Sequence, residues 1–250
     1  MININRRLYL AIANSKDTVT GSSVVNSGLY LYRGRDKSFV LKQSFVTQGA
    51  VTVLFIEHDD YDPWLVFANY YDSELETGLT TTDIYQWSGN NFELQHQISG
   101  EYIVDVVSIK VNGQPCVVSA SERNNYDATD YYMPVVTVCF EDEQWAEITE
   151  FEGQGVIGLD SFSVDGTPYL VVLSQFDEIH VYKWCGISGF EMYLNIPYSD
   201  VNSVNVFMYD GSLLMGVARF FVSEIADQVG DTRILKGIIN GLKEDTIIEA

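Results

Sequence analysis

Two acidic residues, Asp105 and Asp160, are the positions in this 250-residue chain best placed for catalysis. Both lie in apolar, strand-like runs, where burial of an unpartnered carboxylate is costly. Each is therefore expected to be hydrogen-bonded or functional. Two carboxylates that face one cavity can act as the acid and the nucleophile or base of glycoside hydrolysis. We predict them as catalytic candidates, while a structural role between repeating units stays open as the commoner use of such aspartates.

Two polar segments rich in tyrosine, carboxylate and amide side chains are the predicted ligand-binding region. Tyrosine supplies contact area at a low entropic cost, and Asp, Asn and Glu supply hydrogen bonds, as in recognition surfaces. The excess of acidic residues predicts a cationic or basic-rimmed ligand, and ordinary solvated loops are the alternative. The segments are residues 70–82 and 122–134, and the candidate ligand-binding residues are Tyr70, Tyr71, Asp72, Glu122, Arg123, Tyr126, Asp127 and Tyr131.

Histidine chemistry is not expected in this chain. His58, His96 and His180 fall in three different repeating units and at different positions within them, so they do not assemble a metal site or activate a nucleophile. The spacings typical of phosphate-binding loops, zinc proteases and serine hydrolases are also missing from the sequence. The sequence therefore predicts neither a metal site nor a cofactor.

The composition narrows the classes of partner. Hydrophobic residues make up 46% of the chain, which is enough for a folded core, and no apolar run is long enough for a membrane helix. The 35 Asp and Glu outnumber the 14 Lys and Arg, and the resulting net charge of −21 repels phosphate backbones. We therefore expect a protein or a small ligand as the partner, no nucleic acid and no membrane insertion. The oligomeric state stays open.

A strand-like run recurs five times and defines the elements that must position these side chains. Its copies begin at residues 9, 64, 116, 169 and 213, which are 44 to 55 residues apart. Each copy follows another apolar run, and several of these pairs are joined by Asn-Gly or Asp-Gly, the strongest short signal for a β-hairpin. An alternating aromatic run, such as Leu29 to Tyr32, and a more polar run come next. The joining dipeptides are Asn112-Gly113, Asp165-Gly166 and Asp210-Gly211.

Four strands per unit at this period are typical of β-propeller blades. Met1 to Asn5 aligns with the first strand of a unit, so the repeat phase predicts five complete units. The predicted fold class is therefore all-β, a five-bladed β-propeller with four antiparallel strands per blade in a single domain over residues 1–250. Its inner strands carry Asp105 and Asp160, and its long loops emerge on one face. The approximate blades are 1–47, 48–99, 100–153, 154–198 and 199–250.

The units resemble the epilepsy-associated (EAR, or EPTP) repeat. That repeat combines Gly-Ala before a valine-rich strand, an aromatic-Leu-Ala-Val-Ala-Asn strand, an aromatic-Tyr-x-Trp strand and a Phe-x-x-x-Gln-x-Ile strand. The similarity covers essentially the whole chain. Family members form seven-bladed propellers on secreted or cell-surface proteins and bind partner proteins, so the resemblance implies an interaction platform. The matching residues in the second unit are Gly49-Ala50, Trp64 to Asn69, Ile84 to Trp87 and Phe92 to Ile98.

Cysteine spacing predicts one close pair. If Ala120 faces Val135 in the hairpin of the third unit, Cys116 lies opposite Cys139, near enough for contact or for a cross-strand disulfide. Two small buried thiols without a bond fit the same register. Cys185 lies apart from both in the sequence, and three cysteines are too few for a disulfide framework.

The leading hypothesis is a non-catalytic β-propeller that binds a protein or other ligand through its long-loop face. An enzyme that uses Asp105 and Asp160 in a central cavity is one alternative, and a carbohydrate-binding lectin is another. The loops differ too much between units for five equivalent sugar sites. Convergence of the two carboxylates on the central cavity would favour the enzyme, whereas a ligand held by the loops would favour the binding protein.

Overall fold

The computed structural model describes residues 1–122, 132–176, 178–197, 201–210, 212–219, 232–238 and 241–242. Within these ranges the ordered elements are β-strands and one short 3-10 turn, Gly186–Ser188. No helix in this part of the chain is long and apolar enough to cross a membrane. The predicted all-β class is therefore confirmed.

The strands in these ranges form five four-stranded sheets, each with its strands in chain order. Neighbouring strands pair antiparallel, so every sheet is a meander. This arrangement confirms the five-bladed β-propeller with four antiparallel strands per blade. The strands are β1 (Ile2–Ile4), β2 (Arg7–Ile12), β3 (Val24–Arg33) and β4 (Ser38–Gln48) in blade one; β5 (Ala50–Ile56), β6 (Trp64–Asn69), β7 (Leu79–Trp87) and β8 (Phe92–Glu101) in blade two; β9 (Ile103–Val111), β10 (Gln114–Ser121), β11 (Tyr132–Glu141) and β12 (Gln144–Gln154) in blade three; β13 (Val156–Val164), β14 (Thr167–Ser174), β15 (Glu178–Trp184) and β16 (Phe190–Pro197) in blade four; and β17 (Val201–Tyr209), β18 (Ser212–Arg219), β19 (Thr232–Ile238) and β20 (Gly241–Leu242) in blade five.

Tight turns with a left-handed backbone join the first two strands of blades three and four. The turn Asn112-Gly113 connects β9 to β10 with φ angles of 52° and 84°. Asparagine and glycine adopt such angles more readily than other residues, and these angles suit the twist of a hairpin. Asp165-Gly166 connects β13 to β14 with φ angles of 49° and 76°. Both predicted hairpin turns are confirmed, and Gly211 of the third lies outside the described residues.

The N-terminal residues form the inner strand of blade one, as the repeat phase predicts. Ile2 pairs with Tyr9, and Ile2 and Ile4 are buried. The third strand of this blade is longer than the aromatic run in the sequence, because β3 begins at Val24 rather than at Leu29. Strand pairing therefore extends into the polar segment, and the connecting loop is shorter than the sequence implies.

Apolar side chains pack between neighbouring blades. Leu65 and Phe67 of β6 contact blade one, whereas Trp64, Val66 and Ala68 contact blade three. A strand buried on both faces has a continuous run of apolar residues in its sequence. This explains why apolar and polar residues do not alternate in β6. Further clusters join blades three and four, and blades four and five. At about 1.5–3 kcal/mol for each fully buried large side chain, these clusters contribute strongly to the stability of the ring.

A disulfide joins Cys116 to Cys139 within blade three. The two residues are direct partners in the pairing of β10 with β11, and Ala120 pairs with Val135, as predicted. Both cysteines belong to the core cluster between blades three and four and are buried. The bonded form of the pair is therefore the one found, and Cys185 is an exposed free thiol.

Replacing Cys116 and Cys139 together by alanine should lower the free energy of unfolding by about 2–4 kcal/mol, because the unfolded chain regains the entropy of an open loop. Urea titrations of the oxidised protein and the double variant measure the difference. Cys185→Ala removes an exposed thiol and serves as the control, which should leave the midpoint unchanged. Equal stability of all three proteins would contradict the contribution of the bond.

Candidate functional site

The connections between blades repeat one backbone geometry. Gly49, Tyr102 and Gly155 each lie between the outer strand of one blade and the inner strand of the next, with φ angles of 64°, 50° and 54°. The carbonyl oxygen of each accepts a hydrogen bond from the segment that follows the second strand of the next blade. These junctions therefore fix where the loops of this face begin. The donors are the amides of Tyr70 (3.2 Å), Glu122 (3.0 Å) and Gln175 (2.8 Å).

Tyr102 differs from the other two junction residues because it carries a side chain at a left-handed φ. This conformation costs a non-glycine residue roughly 1–2 kcal/mol, and strain of this kind is concentrated at functional sites. Its ring stacks on Tyr71 with centroids 6.2 Å apart and meets Tyr70 edge-on at 5.5 Å. The sequence reasoning missed this residue. The signal that identifies it is the alignment of the units, in which Tyr102 stands where the neighbouring junctions have glycine.

Three tyrosine rings line a cavity of about 370 Å³ at this junction, which we call the tyrosine pocket. It lies on the long-loop face, between the loops of blades one and two. Lys16 contributes a charged group and three serines contribute hydroxyl groups, so the lining combines aromatic faces with polar edges. The lining residues are Ser15, Lys16, Gly21, Ser23, Gly49, Val51, Tyr70, Tyr71, Ser73 and Tyr102.

Reciprocal hydrogen bonds hold the two loops of the tyrosine pocket together. The amide of Ser73 donates to Oγ of Ser23 at 2.8 Å, and the amide of Ser23 donates to Oγ of Ser73 at 2.8 Å. The Ser23 hydroxyl in turn donates to the carbonyl oxygen of Tyr71 at 2.7 Å. Because Ser23 is buried and belongs to blade one, these bonds fix the position of Tyr71 relative to the neighbouring blade.

The predicted ligand-binding residues divide into three groups in the structure. Tyr70, Tyr71 and Glu122 come together at the junction, and the Tyr70 hydroxyl donates to Oε2 of Glu122 at 3.0 Å. Asp72 is buried and shapes the loop, because its carboxylate accepts two backbone amides of that loop and the side-chain amide of Gln48. The remaining candidates, Arg123, Tyr126, Asp127 and Tyr131, lie outside the described residues.

Asp105 joins three neighbouring blades at their inner strands. Its Oδ1 atom accepts the hydroxyl of Thr52 in blade two at 3.0 Å and the amide of Val106 at 2.8 Å. Its Oδ2 atom accepts the amide of Leu159 in blade four at 2.9 Å. Both carboxylate oxygens therefore have donors, as a half-buried carboxylate requires.

Asp160 makes a related link between blades four and five. Its Oδ2 atom accepts the amide of Val206 at 2.6 Å, and its Oδ1 atom accepts the amide of the next residue in its own strand at 2.7 Å. The two aspartates occupy different positions in the repeat. Asp105 pairs with Ala120, the fifth residue of its recurring run, whereas Asp160 pairs with Val171, the third residue of its own.

Both aspartates hold a proton more tightly than an exposed carboxyl group does. Loss of surrounding water raises the pKa of Asp105 and outweighs the lowering effect of its three hydrogen bonds. Loss of water also raises the pKa of Asp160, and the negative charge of Asp105 adds to that rise. The charge of Asp105 therefore influences the protonation of Asp160, although the two residues belong to different blades.

His58 makes a contact between blades, and His180 makes one within its own strand. Nε2 of His58 lies 3.0 Å from the carbonyl oxygen of Gly113, and Nε2 of His180 lies 2.7 Å from Oε2 of Glu178. Partial burial lowers the pKa of His96. In the part of the chain that the structure describes, no three His, Cys, Asp or Glu side chains form a group that could hold a metal ion.

Known structures share this fold at low sequence identity. No protein-family model and no curated protein matches the chain. An exo-β-1,3-galactanase from Phanerochaete chrysosporium, solved with β-1,3-galactotriose, is 11% identical with a TM-score of 0.53, over 96% of this chain and 54% of that one. Solved with galactose, the galactanase is 12% identical with a TM-score of 0.52, over 94% and 52%. The protein YjhT is 15% identical with a TM-score of 0.55, over 89% of this chain and 78% of that one.

These similarities define the class of protein by its fold. The chain spans about half the length of the galactanase, 54%, and at 11% identity the likeness is one of architecture. The fold is a five-bladed β-propeller. The two sites on the inner strands and on the long-loop face must therefore be interpreted from their own chemistry.

Replacing Asp160 by Asn tests the cost of holding this carboxylate away from water. Its pKa is raised above the ordinary value of 3.8, so the folded protein binds the proton more tightly than the unfolded chain. The contribution of this group to stability is therefore largest below pH 3.8 and is lost as the pH rises through the folded-state pKa. We expect the unfolding free energy of Asp160→Asn to depend less on pH than that of the parent protein in this window.

Chemical denaturation at a series of acidic to neutral pH values measures this difference. Asp165→Asn, in the exposed turn of the same blade, is the matched control and should follow the parent curve. The interpretation fails if Asp160→Asn and the parent protein lose stability in parallel as the pH rises.

Proposed function

We propose that this β-propeller binds a carbohydrate in the tyrosine pocket on its long-loop face. The observation that carries the proposal is the meeting of three tyrosine rings with serine hydroxyls in one cavity. A sugar ring has an apolar C–H face that packs on an aromatic ring, and a rim of hydroxyl groups that exchange hydrogen bonds with serine and tyrosine. Aromatic walls with a few fixed polar groups are typical of small-molecule sites.

The charge of the pocket argues against a cationic ligand. Lys16 contributes a positive charge to the lining, so a cationic ligand would have to overcome local repulsion even though the whole protein carries a net charge of −21. Binding of a cation is the alternative that the acidic composition favours. The EAR repeat resemblance favours a partner protein on the same face.

The galactanase comparison adds support for the ligand class. That protein shares the propeller fold and was solved with galactose and with β-1,3-galactotriose. The ligands of that protein suggest galactose-containing oligosaccharides as the first probes, although the likeness between the two proteins lies in the fold alone. The assignment of the pocket depends on its own residues.

Replacing Tyr71 by Ala should weaken sugar binding about tenfold, because the lost stacking surface corresponds to about 1.4 kcal/mol. A glycan array identifies a bound oligosaccharide, and isothermal titration calorimetry then measures its affinity for the parent protein and the variant. The backbone around the pocket should keep its conformation in the variant, since Ser23 bonds to the backbone carbonyl of Tyr71 and not to its ring.

Tyr209→Ala is the matched control, because Tyr209 is an exposed tyrosine beside the first hairpin turn of blade five, away from the tyrosine pocket. It should bind the sugar as the parent protein does. If no oligosaccharide binds the parent protein, or if Tyr71→Ala binds it with unchanged affinity, the carbohydrate proposal is wrong.

Glycoside hydrolysis is a second candidate function, favoured by the coupling between Asp105 and Asp160. A carboxyl group with a raised pKa keeps its proton to a higher pH than an exposed one and can protonate a leaving group, while a second carboxylate serves as base or nucleophile. Asp160 fits the acid, because loss of surrounding water raises its pKa and the charge of Asp105 adds to that rise. Asp105 then fits the base or nucleophile.

Asp105→Asn and Asp160→Asn should each reduce hydrolysis of an aryl galactoside by at least a hundredfold if the pair is catalytic, as expected for removal of a general acid or base. Release of the aryl alcohol measures the rate, and Asp165→Asn is the control. Folded variants that keep the parent rate would assign both aspartates a purely structural role. A parent protein without turnover would have the same consequence.

A further inference from the structure

A second cavity, of about 480 Å³, lies on the face opposite the tyrosine pocket. It forms where the inner strands of blades two, three and four end, beside the short hairpin turns, and we call it the turn-face cavity. Its volume falls within the range of small-molecule sites, roughly 300–1,000 Å³. The residues that matter for its chemistry are Phe55, Glu57, Ser108, Lys110, Phe162 and Ser163.

Apolar side chains form much of the wall of the turn-face cavity. Phe55 and Phe162 come from blades two and four and line the cavity, and each also packs against the apolar cluster between its own blade and the next blade outside the cavity. Phe162 is itself supported, because its ring stacks on Tyr169 with centroids 4.9 Å apart and planes within 3°. The wall therefore presents fixed aromatic surface rather than a mobile side chain.

Two residues of opposite charge, on adjacent blades, line this cavity. Glu57 follows the inner strand of blade two, and Lys110 belongs to the inner strand of blade three. Both are exposed, and neither is ion-paired within the described residues. The cavity therefore offers one acceptor group and one donor group of full charge beside an apolar wall.

Hydrogen bonds between blades preform the rim. The ring of His58 in blade two contacts the carbonyl oxygen of Gly113 in blade three at 3.0 Å, and the Asp60 amide donates to its Nδ1 atom at 3.2 Å. Nε2 is then the protonated nitrogen and donates to that carbonyl. The Ser161 hydroxyl of blade four donates to the carbonyl oxygen of Ser108 in blade three at 2.8 Å. A preformed rim reduces the cost of ordering the site when a ligand binds.

We infer that the turn-face cavity binds a small zwitterion with an apolar side chain, of the class of aromatic α-amino acids. The ammonium group pairs with Glu57, and the carboxylate pairs with Lys110 and the neighbouring serine hydroxyls. The aromatic side chain packs against Phe55 and Phe162. One ligand of this class would contact both charged residues and the apolar wall at the same time.

Singly charged ligands fit this cavity less well. An anion is repelled by a protein of net charge −21, and its charge would also lie beside the negative charge of Glu57. A cation would meet the charge of Lys110. A zwitterion has no net charge and pairs with both groups, so neither of its charges lies beside a like charge without also having an opposite partner.

L-phenylalanine is the probe, and phenethylamine and 3-phenylpropanoate are its analogues without the carboxylate and without the ammonium group. Isothermal titration calorimetry on the full chain should show binding of L-phenylalanine, with each analogue about tenfold weaker, as expected for loss of a charge-assisted hydrogen bond. Lys110→Met should weaken binding of L-phenylalanine about tenfold and should not weaken that of phenethylamine, which loses only a repulsion. Glu57→Gln should weaken binding of L-phenylalanine and should not weaken that of 3-phenylpropanoate, for the same reason.

Lys42→Met, on the outer strand of blade one, is the matched control and should bind all three probes as the parent does. Tyr71→Ala should also bind L-phenylalanine normally, which separates this site from the tyrosine pocket. The inference is overturned if L-phenylalanine does not bind saturably, if the three probes bind equally, or if Lys110→Met weakens phenethylamine as much as L-phenylalanine.

Discussion

The blades of this propeller are held together by contacts other than a shared sheet, because each sheet pairs only its own four strands. At the axis, the inner strands of neighbouring blades approach one another but do not pair in a sheet. Backbone amides on these strands therefore lack a β-ladder partner in the neighbouring blade. Asp105 and Asp160 supply the missing acceptors to blades four and five. A hydrogen bond to a charged acceptor contributes about 1.5–3 kcal/mol, and these bonds offset part of the desolvation that raises the pKa of both carboxylates. The apolar clusters between blades depend on the spacing that these links maintain.

The same links limit the chemistry of the axis. Each carboxylate oxygen of Asp105 already has a donor, yet a carboxylate has about four acceptor positions, so further contacts with a substrate are available. Structural and catalytic use of the pair are therefore compatible. The loops and turns on the two faces are less constrained, and they carry the tyrosine pocket and the turn-face cavity. The rigid frame at the axis positions both.

The architecture could be predicted from the sequence because its signals are local. Asn112-Gly113 marks a hairpin by its backbone preference, and the pairing of Cys116 with Cys139 follows once one register is assumed. Tyr102 could not be identified in this way, because its importance comes from rings that belong to another blade. The sequence left a structural role for Asp105 between units open but did not identify its partners, and it missed the turn-face cavity, because contacts between blades depend on how sheets pack and strand periodicity does not encode this.

The disulfide of blade three has a mechanical consequence. It spans a sequence separation of 23 residues and closes off the segment between β10 and β11. If the chain were stretched from its ends, that segment could not extend, and at about 3.5 Å per residue roughly 80 Å of contour length would stay hidden. Blade three would therefore lengthen less than its neighbours under tension. Glu122 lies within the closed segment, so the part of the chain that accepts the hydrogen bond of the Tyr70 hydroxyl would not extend under tension.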